Sequence, residues 1–290
     1  MAMAINFKEV GFTYQLGTPF ATPGLHAVNF TIPEKAFTAV IGHTGSGKST
    51  MVQHLDGLLI PTAGKIELGT VTIEPATKLR ELNAVRAHVG LVFQFPEAQL
   101  FEQSVIRDVM FGPKNFGKSE DEAHQAAVQA LRLVGMAASY DERSPFDLSG
   151  GQMRRVAIAG VLAMEPDLLI LDEPTAGLDP AGQTELMELF AKLQRERAMA
   201  VVLITHQMED VAKYADHVIV FEKGTVIQEG SPSEIFADEA WLKARQLDVP
   251  LARQFADQLA AKGIELTNVL DMEQLADQLA ERLGGHANVH

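Results

Sequence analysis

The sequence predicts an α/β fold, and three features predict it. An apolar run, Phe37–Ile41, leads into the glycine-rich segment Gly42–Thr50, and a helical pattern follows from Met51 to Leu58. A strand, a glycine-rich loop and a helix in this order are typical of a phosphate-binding P-loop. Apolar runs typical of further buried strands return later in the chain, at 168–171, 200–204 and 217–221. We therefore expect the core sheet of a P-loop NTPase.

Composition sets the outer limits of function. The chain has 290 residues, of which 47% are apolar and 21% charged, an ordinary globular balance with room for about two domains. It contains no cysteine, which excludes disulfides and thiolate metal sites. We expect neither a secretory signal nor a membrane span, because the sequence has no basic-then-apolar start and no run of eighteen apolar residues. The net charge of −14 argues against docking on nucleic acid or anionic lipid. Any membrane association must therefore come through a protein partner.

The amino-terminal third predicts an antiparallel β subdomain. Ile5–Tyr14 is expected to form a strand, residues 15–25 a long turn, and Ala27–Ile32 a second strand with an alternating apolar pattern. Residues 65–73 are expected to add a strand or hairpin arm. Tyr14, at the end of the first strand, suits two roles about equally: a platform on which adenine stacks, or an aromatic cover for the core.

The glycine-rich segment carries the chemistry of polyphosphate binding. Its glycines let backbone N–H groups turn inward around phosphates, and the following helix adds its positive end. Lys48 would reach the β- and γ-phosphates, while the Ser49 hydroxyl would bind Mg²⁺. The candidate cofactor-binding residues here are Gly42, His43, Thr44, Gly45, Ser46, Gly47, Lys48, Ser49 and Thr50.

The middle of the chain predicts a helical insertion over about 95–163. A short helical piece at 77–86 and a strand at 88–94 lead into it. We expect one helix near 104–110 and another that starts from a capping box, Ser119 with Glu122, and runs to Leu133.

Three further constellations have chemistry that suits a nucleotide. Asp172 and Glu173 follow a strand of large aliphatic residues and point in opposite directions, so Asp172 would hold Mg²⁺ and Glu173 would accept a proton from water. Residues 148–152, Leu-Ser-Gly-Gly-Gln, open a helix and could expose N–H donors to phosphate, although Ser-Gly-Gly is also ordinary loop sequence. Thr205 and His206 end another strand. A lone histidine is more often structural than catalytic. Only the presence of the other nucleotide-binding motifs favours a contact between His206 and the γ-phosphate.

Together these motifs resemble the nucleotide-binding subunit of an ABC transporter. They occur in the family's order: P-loop, Q-loop Gln94, signature motif 148–152, acidic strand 168–173, D-loop Gly177–Asp179 and switch His206. The resemblance implies ATP and Mg²⁺ as cofactors, Gln94 at the Mg²⁺–water region, and a dimer with composite sites. The signature residues of one subunit would complete the P-loop site of the other: Ser149, Gly150, Gly151 and Gln152. The fold class is thus a P-loop NTPase core with an antiparallel β subdomain, a helical insertion carrying the signature motif and a helical extension.

A narrower resemblance is to the ATPases of energy-coupling-factor importers. It rests on residues 93–101 (FQFPEAQLF), 108–113 (DVMFGP) and 147–161. It implies a second ATPase subunit, identical or not, a transmembrane coupling protein, a substrate-binding membrane protein, and a vitamin or transition-metal ion as cargo. The expected place is the cytoplasmic face of the membrane, peripherally bound.

The segment after Gln94 is expected to meet the membrane partner. Phe95, Pro96, Leu100 and Phe101 would form a groove for a short cytoplasmic helix, with core packing as the alternative. Glu97 would accept a basic residue of that helix.

Residues 236–290 are expected to form a helical extension to a nucleotide-binding domain over 1–235. Its apolar stripes lie on a helix from Pro250 to about Gly263 and on another after Asp271. It is either a packed appendage or a dimerisation element, and the residues from Gly284 onward are expected to be a frayed tail.

Other functions fit less well. An ABC-type ATPase of DNA repair would carry a long coiled-coil insertion or zinc-binding cysteines, and a ribosome-associated one would carry tandem heads and a basic linker. A simple P-loop kinase has no use for residues 148–152. Another ABC importer or exporter remains the main alternative.

Overall fold

A computed structural model describes residues 4–284, which form ten strands in two sheets. The smaller sheet has the order β2-β1-β4-β5 and the larger one β10-β9-β3-β8-β7-β6. The strands are β1 Ile5–Tyr14, β2 Thr22–Ile32, β3 Phe37–Ile41, β4 Ala63–Leu68, β5 Val71–Ile73, β6 Val89–Val92, β7 Leu168–Asp172, β8 Ala200–Ile204, β9 His217–Glu222 and β10 Thr225–Gly230.

Five strands of the larger sheet run parallel, and β10 pairs antiparallel with β9. Every residue of β3 and of β8 is buried, which explains why these strands are continuously apolar rather than alternating. The carboxyl ends of β3, β7 and β8 lie side by side. Ligands of open parallel sheets bind beyond such ends.

The smaller sheet is the antiparallel subdomain that the sequence predicts. Its inner face shares one core with the larger sheet, in which Phe7 and Val28 pack with Val40. The predicted turn over 15–25 was too long, because β2 already begins at Thr22. Pro23 suggested a turn, but β2 is the edge strand of this sheet, where a residue without an N–H is tolerated.

Eleven α-helices occur within residues 4–284. Short 3-10 helices lie at Leu79–Leu82, Pro96–Gln99, Ala138–Tyr140 and Pro145–Asp147. The α-helices are α1 Lys48–Leu55, α2 Asn83–Arg86, α3 Val105–Asn115, α4 Glu120–Leu133, α5 Gly150–Leu162, α6 Pro180–Arg197, α7 Met208–Tyr214, α8 Pro232–Ile235, α9 Glu239–Lys243, α10 Leu251–Ala260 and α11 Met272–Gly284.

The helical insertion has the expected helices with one difference in length. The capping box of α4 is confirmed, since the Glu122 N–H donates to Ser119 Oγ and Glu122 Oε2 accepts from the Ser119 N–H at 2.8 Å. Helix α3 runs five residues past the predicted end at Met110 and includes Pro113. Helix α6, which the sequence analysis did not propose, starts where Asp179 Oδ1 accepts the Gly182 N–H at 3.0 Å.

The carboxyl-terminal helices fall into two groups. Residues of α8 and α9 join a buried cluster with β3, β9 and α7, in which Phe236 and Leu242 are fully buried. Helices α10 and α11 enclose a small cluster of their own, which includes Ala252, Ala256 and Leu275. The predicted tail after Gly284 lies outside the described residues. Within residues 4–284 no helix is long and apolar enough to cross a membrane.

Candidate active site

A cavity of about 790 Å³ opens at the carboxyl ends of the parallel strands. Its size suits a nucleotide, since ligand cavities commonly measure roughly 300–1,000 Å³. It brings together most of the predicted site residues, although they are distant in sequence. Those that line it are Tyr14, Thr44, Gly45, Gly47, Lys48, Ser49, Thr50, Gln94, Asp172, Glu173 and His206.

The shape of the P-loop requires glycine at its start. Gly42 has φ of 153°, and a Cβ built there would lie 2.4 Å from the Phe221 carbonyl oxygen and 2.7 Å from Ser46 Oγ. A side chain would therefore push the loop away from β9. The loop is also tied to the turn between β9 and β10, because the Gly224 N–H donates to the Ser46 carbonyl at 2.8 Å.

The Lys48 ammonium is held inside this loop. Its Nζ donates to the Gly42 carbonyl at 2.5 Å and to the His43 carbonyl at 3.0 Å. Burial lowers the pKa of Lys48, while the nearby carboxylates of Glu173 and Asp172 act in the opposite direction. A lysine ammonium has a further donor for a phosphate oxygen.

Glu173 has the environment of a general base. Its φ is 49°, in the left-handed region, and its N–H donates to the Ile204 carbonyl at 2.9 Å, which ties it to the end of β8. Burial raises the pKa of Glu173, and the neighbouring Asp172 raises it further. Glu173 Oε1 is buried without a hydrogen-bond partner among residues 4–284. A carboxylate oxygen in that state still has the capacity to accept a proton or a hydrogen bond.

His206 lies beside this carboxylate, with Nε2 at 3.6 Å from Glu173 Oε1. That separation is too long for a hydrogen bond. Burial lowers the pKa of His206, and the charge of Lys48 lowers it further. The imidazole is therefore neutral at pH 7, so it can donate a hydrogen bond without adding positive charge.

The donors at the mouth of the cavity fit Mg²⁺. No group of three or more His, Asp or Glu side chains that could hold a metal ion occurs in the described part of the chain. Mg²⁺, however, commonly binds through one or two protein groups together with substrate phosphates and waters. Ser49 and Asp172 line the cavity with Gln94 and offer such oxygens.

Tyr14 lines the same cavity. Its hydroxyl is within hydrogen-bonding distance of Thr50 Oγ1, at 2.9 Å, and its ring packs edge-on against Phe12 with centroids 4.7 Å apart. The ring is 37% exposed, so part of it covers the core and part is open to a base. Both predicted roles are compatible with this position, and adenine stacking stays a prediction.

Seven lining residues were missed by the sequence analysis: Thr22, Pro23, Gly24, His26, Ile204, Lys223 and Gly224. Thr22, Pro23 and Gly24 lie at the start of β2, in the segment 15–25 that was expected to be a turn, and His26 follows in the same strand. The turn between β9 and β10 reaches the site because the His26 N–H donates to the Gly224 carbonyl at 2.8 Å. The Lys223–Gly224 pair is recognisable in the sequence as a turn, but its contact with His26 is not.

The residues of the signature motif do not line this cavity. They form a capping box at the start of α5, in which the Gln152 N–H donates to Ser149 Oγ and the Ser149 N–H donates to Gln152 Oε1. Side chains added at Gly150 or Gly151 would meet nothing within 4 Å. The fold of this chain therefore does not itself require glycine at either position, although glycine is less favourable than alanine in a helix by about 1 kcal/mol.

The prediction for Glu97 is wrong. Its carboxylate is already bound within the chain, since Arg154 Nε and Nη2 donate to its two oxygens at 3.0 Å each. The sequence analysis treated Glu97 as an exposed acceptor because Arg154 is far away in sequence. In the surrounding segment, Pro96 and Leu100 are buried, whereas Phe95 and Phe101 are 51% and 55% exposed.

Comparison with known proteins shows the family of this chain. The family model for ABC transporters matches residues 25–176. The chain is 55% identical to the energy-coupling factor transporter ATP-binding protein EcfA2 of Enterococcus faecalis, over 97% of this chain and 98% of that relative. It is also 55% identical to EcfA2 of Lactiplantibacillus plantarum, over 98% of this chain and 97% of that relative.

Two solved structures are similar along most of their length. One is cbiO1 from Clostridium perfringens, described as part of the ABC transporter complex cbiONQ. Its TM-score is 0.74 at 36% identity, covering 89% of this chain and 100% of that one. The other is the ATP-binding cassette MJ0796, a dimer in a post-hydrolysis state bound to ADP and Pi. Its TM-score is 0.69 at 29% identity, covering 79% of this chain and 98% of that one.

Proposed function

The chain belongs to the ABC transporter family, and from its site we infer that the cavity beside the P-loop binds ATP. It is an ATPase whose hydrolysis is coupled to transport, of the energy-coupling-factor type named by its relatives. The observation that carries the assignment of the site is the convergence of Lys48, Asp172, Glu173 and His206 on one cavity. They come from three separate segments of the chain, since Asp172 and Glu173 are adjacent.

We assign each residue a role. The P-loop N–H groups and Lys48 hold the β- and γ-phosphates, and Glu173 accepts a proton from the attacking water because its pKa is raised towards neutrality. His206 donates to the γ-phosphate. Ser49 and Asp172, with Gln94 nearby, would hold Mg²⁺, and the ion would supply positive charge to offset that of the phosphates.

We propose that the site is completed by a second subunit. Gly150 and Gly151 have open space above them, which their own chain does not use. A phosphate approaching the start of α5 from outside would use it, because helix N-termini bind anions and glycine permits close backbone approach. The related cassette MJ0796 is a dimer with ADP and Pi bound. Ser149 and Gly151 of each subunit would then contact nucleotide on the P-loop of the other.

We further propose that a helix of a membrane partner docks beside the Q-loop. A groove of about 410 Å³ lies between α3, α5 and β6, lined by Phe101, Phe111 and Gly160 among others. Phe101 and Phe111 pack edge-on, with ring centroids 4.8 Å apart, and are about half exposed. A side chain at Gly160 would meet nothing within 4 Å, so this face of α5 admits close approach of another backbone.

We propose that the chain binds at the cytoplasmic face of a membrane, through the groove. The partners would be a transmembrane coupling protein and a substrate-binding membrane protein, with a vitamin or transition-metal ion as cargo. Helices α10 and α11 offer a further interface to a second ATPase subunit, because Leu251, Phe255 and Met272 are 64%, 48% and 64% exposed.

The test is phosphate release by the purified chain with Mg²⁺ and ATP, alone and with the membrane proteins that co-purify with it from its native membranes. We expect hydrolysis to need Lys48 and to rise with the membrane proteins present. Phe101→Asp should weaken that association and leave thermal stability unchanged, whereas Phe146→Asp, at an exposed position outside the groove, should leave the association intact. Undiminished association of Phe101→Asp would refute the docking site.

A further inference from the structure

One buried arginine, Arg154, joins three segments that surround the active site. Its Nε and Nη2 donate to Glu97 Oε2 and Oε1, both at 3.0 Å. Its Nη1 donates to the Ala176 carbonyl at 2.9 Å and to the Pro174 carbonyl at 3.4 Å. Arg154 itself lies in α5, one turn after the start of that helix. All three guanidinium nitrogens therefore donate hydrogen bonds, and their acceptors lie in two different loops.

Both loops are functional by position. Glu97 lies in the 3-10 helix that follows Gln94 and leads to the groove residue Phe101. Pro174 and Ala176 follow Glu173 directly, in the loop that ends at the start of α6. Arg154 thus connects the edge of the docking groove to the backbone that carries the proposed base.

The connection is stiff for a physical reason. The side chain of Arg154 is 6% exposed and that of Glu97 is 24% exposed. Burial disfavours the Glu97 carboxylate, but the hydrogen bonds and charge of Arg154 outweigh it and hold its pKa below its ordinary value. Breaking the pair with Glu97 would leave the Arg154 charge buried without its partner, which is costly, and breaking the other end would leave the Pro174 and Ala176 carbonyls without this donor. The planar fork also fixes direction, since a bidentate pair tolerates little rotation.

We propose that Arg154 is a positioning residue that makes the docking segment and the loop after Glu173 move together, so that contact with the membrane partner sets the rate of hydrolysis. The proposal rests on the proposed function for its consequence, but the linkage itself exists within one chain. Glu97 acts in it as the arginine's anchor on the docking side. The carbonyls of Pro174 and Ala176 are the anchor on the catalytic side.

The first experiment measures the linkage without a partner. Because the chain has no cysteine, nitroxide labels can be attached at Ala98→Cys, beside Glu97, and at Thr184→Cys, in the first turns of α6. Both positions are exposed. We expect a narrow distance distribution in the parent chain, with and without Mg²⁺ and ATP, and a broad one in Arg154→Lys, which keeps the charge but loses the fork.

A matched control is Arg132→Lys. Arg132 also pairs with a carboxylate, Asp141, and a carbonyl, Met136, but lies in the helical insertion away from the cavity. It should lower the melting temperature and leave the label distances narrow. Equal broadening in both variants, or none in Arg154→Lys, would overturn the linkage.

The second experiment measures the consequence. In the complex with its co-purified membrane proteins, Arg154→Lys should lower kcat about tenfold with KM for ATP little changed, the size expected from one charge-assisted hydrogen bond. Glu97→Gln should do the same, and the double variant should be no worse than either single one. Additive losses, or a kcat equal to that of Arg132→Lys, would refute the proposal.

The two experiments separate the possible failures. If the parent chain does not hydrolyse ATP, the proposed function is refuted. The distances between the labels would still decide whether Arg154 links the docking segment to the loop after Glu173. If Arg154→Lys does not fold, Glu97→Gln decides both measurements, because it weakens one end of the link and leaves the arginine on the Pro174 and Ala176 carbonyls.

Discussion

Replacing Glu173 by Gln isolates proton acceptance from every other property of the site. Glutamine has nearly the same shape and can accept a hydrogen bond, but it cannot take a proton from water. Burial and the neighbouring Asp172 raise the pKa of Glu173 above its ordinary value of 4.5, which brings the carboxylate closer to the pH at which a base works best. The expected loss in kcat is about 10²–10⁴-fold, which corresponds to roughly 2.7–5.5 kcal/mol of transition-state stabilisation.

The same shift predicts that the inactive variant is no less stable. A carboxyl group whose pKa is raised in the folded state contributes stability below its ordinary pKa and loses that contribution as the pH rises through the raised pKa. At pH 7 the ionised Glu173 therefore costs stability, and glutamine removes that cost. We expect a melting temperature equal to or above that of the parent chain at pH 7, with any gain absent at pH 4.

The assay is steady-state phosphate release with nucleotide binding and thermal unfolding measured on the same samples. ATP binding should survive in Glu173→Gln, and a dimer with ATP bound should accumulate on size exclusion. Glu188→Gln, an exposed carboxylate on α6 that pairs with Lys213, is the control and should hydrolyse normally. Parent-like turnover in Glu173→Gln would remove Glu173 from the role of base. A large drop in its stability would mean that the carboxylate is structural.

Three more outcomes are expected. Ser149→Arg should abolish hydrolysis but retain ATP binding at Lys48 of its own chain. If homodimers form, mixing this variant with Lys48→Ala subunits should recover some phosphate release. Loss of ATP binding in Ser149→Arg would mean that the signature motif serves its own chain. Gly42→Ala should abolish ATP binding in isothermal titration because its Cβ would meet the Phe221 carbonyl at 2.4 Å, and unchanged affinity would contradict that geometry. Burial and Glu209 raise the pKa of Asp210 from 3.8 to about 6. Asp210→Asn should therefore stabilise the fold at pH 7.5 by about 1–2 kcal/mol, a figure reduced to allow for screening by solvent, and should not stabilise it at pH 3. A gain at both pH values would exclude titration of Asp210 as its cause.

The parts of this structure that could be predicted from sequence are those fixed by local interactions. The strand over Ile5–Tyr14 matches its prediction because its apolar residues follow the register of a half-buried strand. The capping box at Ser119 needs only residues within one helical turn. The P-loop is likewise continuous in sequence, so Lys48 and Ser49 could be assigned to a site before their surroundings were known.

Two of the failures concern residues whose partners are remote in sequence. Glu97 looked like an exposed acceptor because its partner Arg154 is 57 positions away. His26 was not assigned to the site, because its contact with Gly224 joins segments that are remote in sequence. Nothing in a local pattern reports either contact. Distant pairing of this kind comes from the topology of the sheets, which brings chain segments together only after folding.

The electrostatics of the cavity explain why its ligand should be Mg²⁺ with ATP rather than ATP alone. Burial works against the charge of every principal group: it lowers the pKa of Lys48 and raises those of Asp172 and Glu173. Phosphate oxygens would compensate Lys48, but by themselves they would add negative charge beside two carboxylates that already oppose each other. A divalent cation held near Asp172 would relieve that repulsion, because its positive charge would attract both the carboxylates and the phosphates. We therefore expect the site to bind ATP more tightly with Mg²⁺ than without it.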